Sequence, residues 1–182
     1  MDQTDKNLLT IYSFPTGEFI GYKWARTEDL PELADCSFKN VDWDGFYTCL
    51  DLKTAEGYLV NRLPEDANGT GIVYMHKIFL KKELPIVICK DKGFQDGSYK
   101  ISGTVDSIKK ELREKHHLEI KESDSLLPRL GELGYGFRCF HDKDETEEVV
   151  IPHNLKHEYL YHKYIAKYTY KKYNIISKKD KE

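Results

Sequence analysis

The sequence predicts a single α+β domain in which short strands outnumber helices. Three observations predict it. Runs rich in β-branched and aromatic residues recur along the chain, among them "LLTIYSF", "FIGYKWAR", "GIVYMHKIFL" and "LPIVICK". Such runs suit a pleated, half-buried surface. Two or three segments instead carry caps and helical spacing. The chain has 182 residues, with no internal repeat and no linker to divide it. That length supports one hydrophobic core.

The elements follow in order. Residues 8–14 form a strand that "PTG" ends, and residues 18–26 alternate well enough for a second. "TEDLPEL" reads as a helix start with Thr27 as cap. "DGFYTCL" is a short strand, and "DLKTAEGYLVNRL" is a helix capped by Asp51. An Asn-Gly turn at Asn68 leads into strands over 71–80 and 84–90, the second nearly unbroken in apolar residues. Residues 104–120 give the clearest helix, with Thr104 or Asp106 as cap. "LLPRLGELGYGFRCF", with Gly131, Gly134 and Gly136, reads as a mobile or tightly turned loop entering a strand. "EVVIP", residues 148–152, is a short strand that Pro152 stops. A helical turn and a last strand follow. The core is expected over about residues 8–173, and the charged tail 174–182 is expected to be disordered.

Composition narrows the classes of function. Hydrophobic residues make up 40% and charged residues 32%, the balance of a soluble globular protein. A formal net charge of -3 points to neither a nucleic-acid nor an acidic partner. The 13 tyrosines offer many side chains with an apolar body and a polar tip, suited to stacking surfaces. Cys36, Cys49, Cys89 and Cys139 make no CxxC pair, which argues against a zinc knuckle and fits reduced thiols in a cytosolic setting. The N-terminus lacks a basic start and an apolar stretch of signal-peptide length, and no segment reaches the roughly 20 apolar residues of a membrane span.

Two segments stand out. "GFYTCLDLKTAEGY" begins at Gly45 and "TEEVVIPHNLKHEY" ends at Tyr159. The first sets Tyr47 on a short strand before a helix bearing Ala55 and Tyr58, an arrangement able to box in a flat ring. The second sets Glu148 at the head of a β-branched strand, where a fixed carboxylate can stabilise developing positive charge. Together they resemble the ADP-ribosyltransferase superfamily, which includes bacterial mono-ADP-ribosylating toxins and the poly-ADP-ribose polymerase catalytic domain. The register of Gly45, Tyr47, Ala55 and Tyr58 matches the polymerase-like branch, and Glu148 to Pro152 matches its late strand.

The resemblance implies a split β-sandwich of two small mixed sheets with flanking helices, and NAD as substrate. It implies that Glu148 orients the ribose, Tyr47 stacks on nicotinamide, and Tyr58 closes that pocket. A basic residue on an early strand would contact the nucleotide. Tyr22, Lys23 and Arg26 lie on the matching stretch, and Arg26 is preferred because guanidinium makes paired planar hydrogen bonds. Thr48 would support Glu148 through its hydroxyl. The residue two before Glu148 is Thr146, where arginine-modifying members carry a second Glu. The acceptor is therefore expected not to be arginine, and the choice between His-Tyr-Glu and Arg-Ser-Glu branches stays open. The glycine-bearing segment 131–147 corresponds to the family's substrate-recognising loop. The expected partner is a target protein in a host or competitor cell, with the chain acting as a toxin or effector. It would be secreted by a non-Sec route or delivered into that cell's cytosol, and otherwise be cytoplasmic. No metal and no membrane enter this reading.

Other constellations compete. His153, His157 and His162 lie close together in sequence and include a spacing of four that suits two metal ligands on a helix face, although surface histidines are preferred. Cys49 with a histidine could form a thiol nucleophile pair. "KYIAKYTYKKYNIISKK" interleaves lysine and tyrosine as single-strand nucleic-acid binders do, though an edge strand with lysines outside fits it better. The alternatives to the enzyme are an inactive NAD- or protein-binding module of the same fold, and a nucleic-acid-binding protein.

Overall fold

The computed structural model describes residues 8–26, 28, 41–62, 69–89, 102–141, 146–172 and 174–182. Its elements run β1 (Leu9–Phe14), β2 (Phe19–Ala25), β3 (Phe46–Cys49), α1 (Leu52–Arg62), β4 (Thr70–Leu80), β5 (Leu84–Cys89), α2 (Ser102–Glu114), α3 (Leu126–Leu133), β6 (Gly136–His141), β7 (Thr146–Ile151), α4 (Lys156–Tyr159), β8 (Leu160–Lys171) and β9 (Asn174–Asp180). The α+β class holds. All nine strands join one mixed sheet in the order β1-β5-β6-β7-β3-β2-β4-β8-β9, with β5 and β6 its parallel pair.

The sheet cannot be flat. Strands β4 and β5 stand five places apart, which in a flat sheet is about 24 Å. Yet only Lys81, Lys82 and Glu83 connect Leu80 to Leu84, a path of at most about 14 Å. The sheet therefore curls until these two strands meet. Its inner face closes on a single core in which Ile78 and Leu80 of β4 pack with Leu84 and Ile86 of β5, and Phe46, Val149 and Ile151 complete the cluster. The outer face carries α1, α2 and α3. Val105, Ile108 and Leu112 of α2 and Leu126, Leu127 and Leu130 of α3 cover β1, β5, β6 and β7. Ala55 of α1 packs on Cys49, Met75 and Tyr168, covering the other half.

The two halves meet at one point. The register between β2 and β3 consists of the single pair Tyr22–Cys49, whereas β2 and β4 share six pairs. Gly21 makes this approach possible. Its φ is +138°, and a Cβ there would lie 2.7 Å from Thr48 Oγ1 and 2.9 Å from the Cys49 carbonyl oxygen. The Thr48 hydroxyl donates to the Ile20 carbonyl at 2.6 Å, which stitches the seam from the other side.

Several expectations change. Two separate sheets were expected; one continuous sheet forms because Tyr22 and Cys49 bridge its halves. The 126–133 segment is a helix rather than a loop. Gly131 sits where a Cβ would fall 2.0 Å from Asn154 Oδ1, and Gly134 caps the helix end at φ +85°. Helix α2 ends at Glu114 rather than running to residue 120, as the chain turns at His117 with φ 57°. The tail expected to be disordered forms β9 along β8, so the lysine–tyrosine strand is second from the edge. The helix start expected at Thr27, and Asn68 of the expected turn, lie outside the described residues.

Replacing Gly21 by valine should destabilise the protein by about 2 kcal/mol or more, because it adds both a clash and backbone strain. Thermal denaturation followed by circular dichroism should show a fall of about 4–8 °C.

Candidate functional site

Strand alternation decides which predicted residues can meet, since neighbours along a strand point to opposite faces. Three of the predicted segments become adjacent strands, β2, β3 and β7. Cys49 pairs with Tyr22 on one side and with Glu148 on the other, so Tyr22, Cys49 and Glu148 form one row across the sheet. Glu148 then pairs with Cys139 of β6. Tyr47 pairs with Val150, two residues beyond Glu148, and shares its outer face. Tyr47 and Glu148 are diagonal neighbours about 7–8 Å apart, and Tyr22 lies about two strand spacings, roughly 10 Å, from Glu148.

Glu148 is 7% exposed, a carboxylate held in a largely dry setting. Tyr47 is half-buried against the outer core, and its hydroxyl donates to the Trp43 carbonyl at 2.6 Å. That bond fixes the ring's tilt. Tyr22 is half-buried beside Trp24, Leu52 and Cys49. Helix α1 starts on Asp51, whose carboxylate accepts from the Thr54 backbone N–H and hydroxyl, each at 2.8 Å. These bonds hold the Asp51 carboxyl below its ordinary range. Tyr58 lies on α1, but its side chain is outside the described residues.

Two predicted residues face the other way. Thr48 lies between Tyr47 and Cys49 and points to the inner face, its hydroxyl on the Ile20 carbonyl with the Val149 carbonyl at 3.2 Å. It sits on the face opposite Glu148. Lys23 is also inward, buried with its ammonium 5.0 Å from the Phe46 ring centroid. Arg26 stands exposed just past β2, four residues and about 13 Å along the strand from Tyr22. Glu147 also faces away from Glu148 and pairs with Arg138.

Cys49, expected only as a candidate partner of a histidine, and Cys139 instead flank the carboxylate. Both are buried, and period-two alternation across paired strands is the signal that would have found them. Burial pushes the Cys49 thiol up to about 11, with the Glu148 charge adding to the rise. Burial and the same carboxylate raise Cys139 well above the ordinary thiol value. Neither thiol is poised as a thiolate nucleophile. The three histidines also separate. His153 lies 3.0 Å from Asp44, His162 faces His76 with their Nδ1 atoms 3.1 Å apart, and His157 is exposed. Among the described residues no group of three His, Cys, Asp or Glu could hold a metal ion. No described helix is long and apolar enough to cross a membrane.

No family model matches the chain, and a search of curated proteins finds no match either.

The raised thiols fix a direction with pH. A group whose value rises on folding contributes stability that is complete below its unfolded value and is lost as pH climbs through the folded one. Denaturant unfolding should therefore show stability falling between pH 9 and about 11, the ordinary and folded values of Cys49. A Cys49→Ala variant should show a shallower fall over the same interval.

Proposed function

We propose that the protein is an NAD-dependent mono-ADP-ribosyltransferase that modifies a target protein. The reading rests on one observation. Three stretches chosen from sequence alone become neighbouring strands, and Tyr22, Tyr47 and Glu148 share one face of them.

The residues fit the dinucleotide's chemistry. Glu148 accepts from the ribose 2'-hydroxyl and stabilises the positive charge that grows on the sugar as its bond to nicotinamide lengthens. Its burial strengthens that effect, since charge interacts more strongly where water is excluded. The carbon–nitrogen bond breaks and nicotinamide leaves with the electron pair. A nucleophile on the target then bonds to the ribose carbon and gives up its proton. Tyr47, its tilt set by the Trp43 carbonyl, offers the ring on which nicotinamide stacks, and Tyr22 extends that aromatic floor. By the resemblance to ADP-ribosyltransferases, Tyr58 closes that pocket. Arg26 is the exposed cation for the nucleotide phosphates. Thr48 and Lys23, both turned inward, take no part. Delivery of the chain into another cell belongs to the same reading.

A second reading, a catalytically silent NAD- or protein-binding module of this fold, draws on the burial of Glu148 and the tethered Tyr47 hydroxyl.

The test incubates labelled NAD with cell lysate and protein. Wild type should release nicotinamide and label a protein band, and Glu148→Gln should reduce the rate by about 100-fold or more while keeping the fold. Absence of NAD turnover by folded wild type, with and without lysate, would overturn the enzyme reading.

A further inference from the structure

The outer face of β2, β4 and β8 beyond the cover of α1 carries a second organised feature. Phe19, Phe79 and Tyr161 are register partners on three neighbouring strands, so their rings form one row across the sheet. Phe79 and Tyr161 stack at 5.2 Å between centroids and 16° between planes, and Phe19 lies 5.8 Å from Phe79. The adjoining row, by the same registers, is Tyr22, Lys77 and Lys163. Lys163 sits 5.5 Å from the Phe79 centroid and Lys77 sits 6.0 Å from that of Tyr22. Five of the six side chains are half-buried, and Lys163 is exposed.

We infer that this double row binds single-stranded nucleic acid, with bases on the aromatic row and phosphates on the lysine row. Every base offers a π-face, so a row of rings accepts bases without reading their identity. The two rows lie two residues apart on β4 and β8, about 7 Å, and three apart on β2, where the register shifts between Phe19 and Gly21; the spacing of about 7 Å suits a base and its own phosphate. Lys163 lies over the Phe79 ring and Lys77 over the Tyr22 ring, so each swings off its ring toward an incoming phosphate and uncovers that ring for a base. The whole chain carries a formal net charge of -3, so general attraction to polyanions is absent and binding must come from this local pairing of rings and cations. The inference goes beyond the proposed transferase and does not depend on it.

Fluorescence anisotropy with a labelled oligo-dT of about twelve nucleotides tests this directly. Wild type should bind at about 50 mM salt and more weakly at about 200 mM. Tyr161→Ala should weaken binding by about tenfold, while Tyr161→Phe, which keeps the ring, should bind as wild type does. Lys163→Ala should lower the slope of log affinity against log salt by about 0.7. A duplex of the same length, whose base faces are hidden, should bind more weakly. Near-ultraviolet circular dichroism checks the fold of each variant. The inference fails if folded wild type does not bind, if duplex binds as tightly as the single strand, if polyglutamate competes equally, or if Tyr161→Ala binds unchanged.

Discussion

The molecule depends on one close approach, that of Gly21 to Thr48 and Cys49. It lets a single register pair, Tyr22–Cys49, join a five-strand and a four-strand half into one sheet. The three-residue connection from Leu80 to Leu84 then forces that sheet to curl around the inner core. Without the seam the carboxylate-bearing strand β7 and the aromatic strand β2 would belong to separate layers. With it, Glu148, Cys49 and Tyr22 share one row.

The seam also sorts the chemistry by face. Inward residues there serve the core: Thr48 donates across the junction, and Lys23 lies over Phe46. Outward residues lie on the helix-bearing face, where α1 covers one half of the sheet and α2 with α3 cover the other. Glu148 stands between those covers, flanked by thiols whose burial keeps them protonated. The setting disfavours a nucleophilic cysteine. The same outer face continues along β2, β4 and β8 into the ring and lysine rows, so the two proposed surfaces are contiguous through Tyr22.

Much of this was legible in the chain. β-Branched runs marked β3, β4, β5 and β7, and Asp51 marked the start of α1 through its bonds to Thr54. What failed did so for physical reasons. Gly131 and Gly134 looked like loop residues, yet one is required by the close passage of Asn154 and the other by a helix end. The composition of 174–182 suggested disorder, but pairing of its backbone with β8 needs little from its side chains. The union of two sheets rests on one pair between residues 22 and 49, which no local pattern encodes. Alternation along β3 already sets Thr48 on the side away from Tyr47 and Glu148, so a role beside the carboxylate does not fit the strand.

The central claim is that Tyr47 and Glu148 form one binding surface for the nicotinamide riboside end of NAD. A crystal structure with a non-cleavable NAD analogue tests it most directly. The account predicts the nicotinamide ring on Tyr47 and the ribose 2'-hydroxyl within hydrogen-bonding distance of Glu148, on the outer face of β3 and β7. An analogue bound elsewhere, or one that does not bind at all, would contradict it.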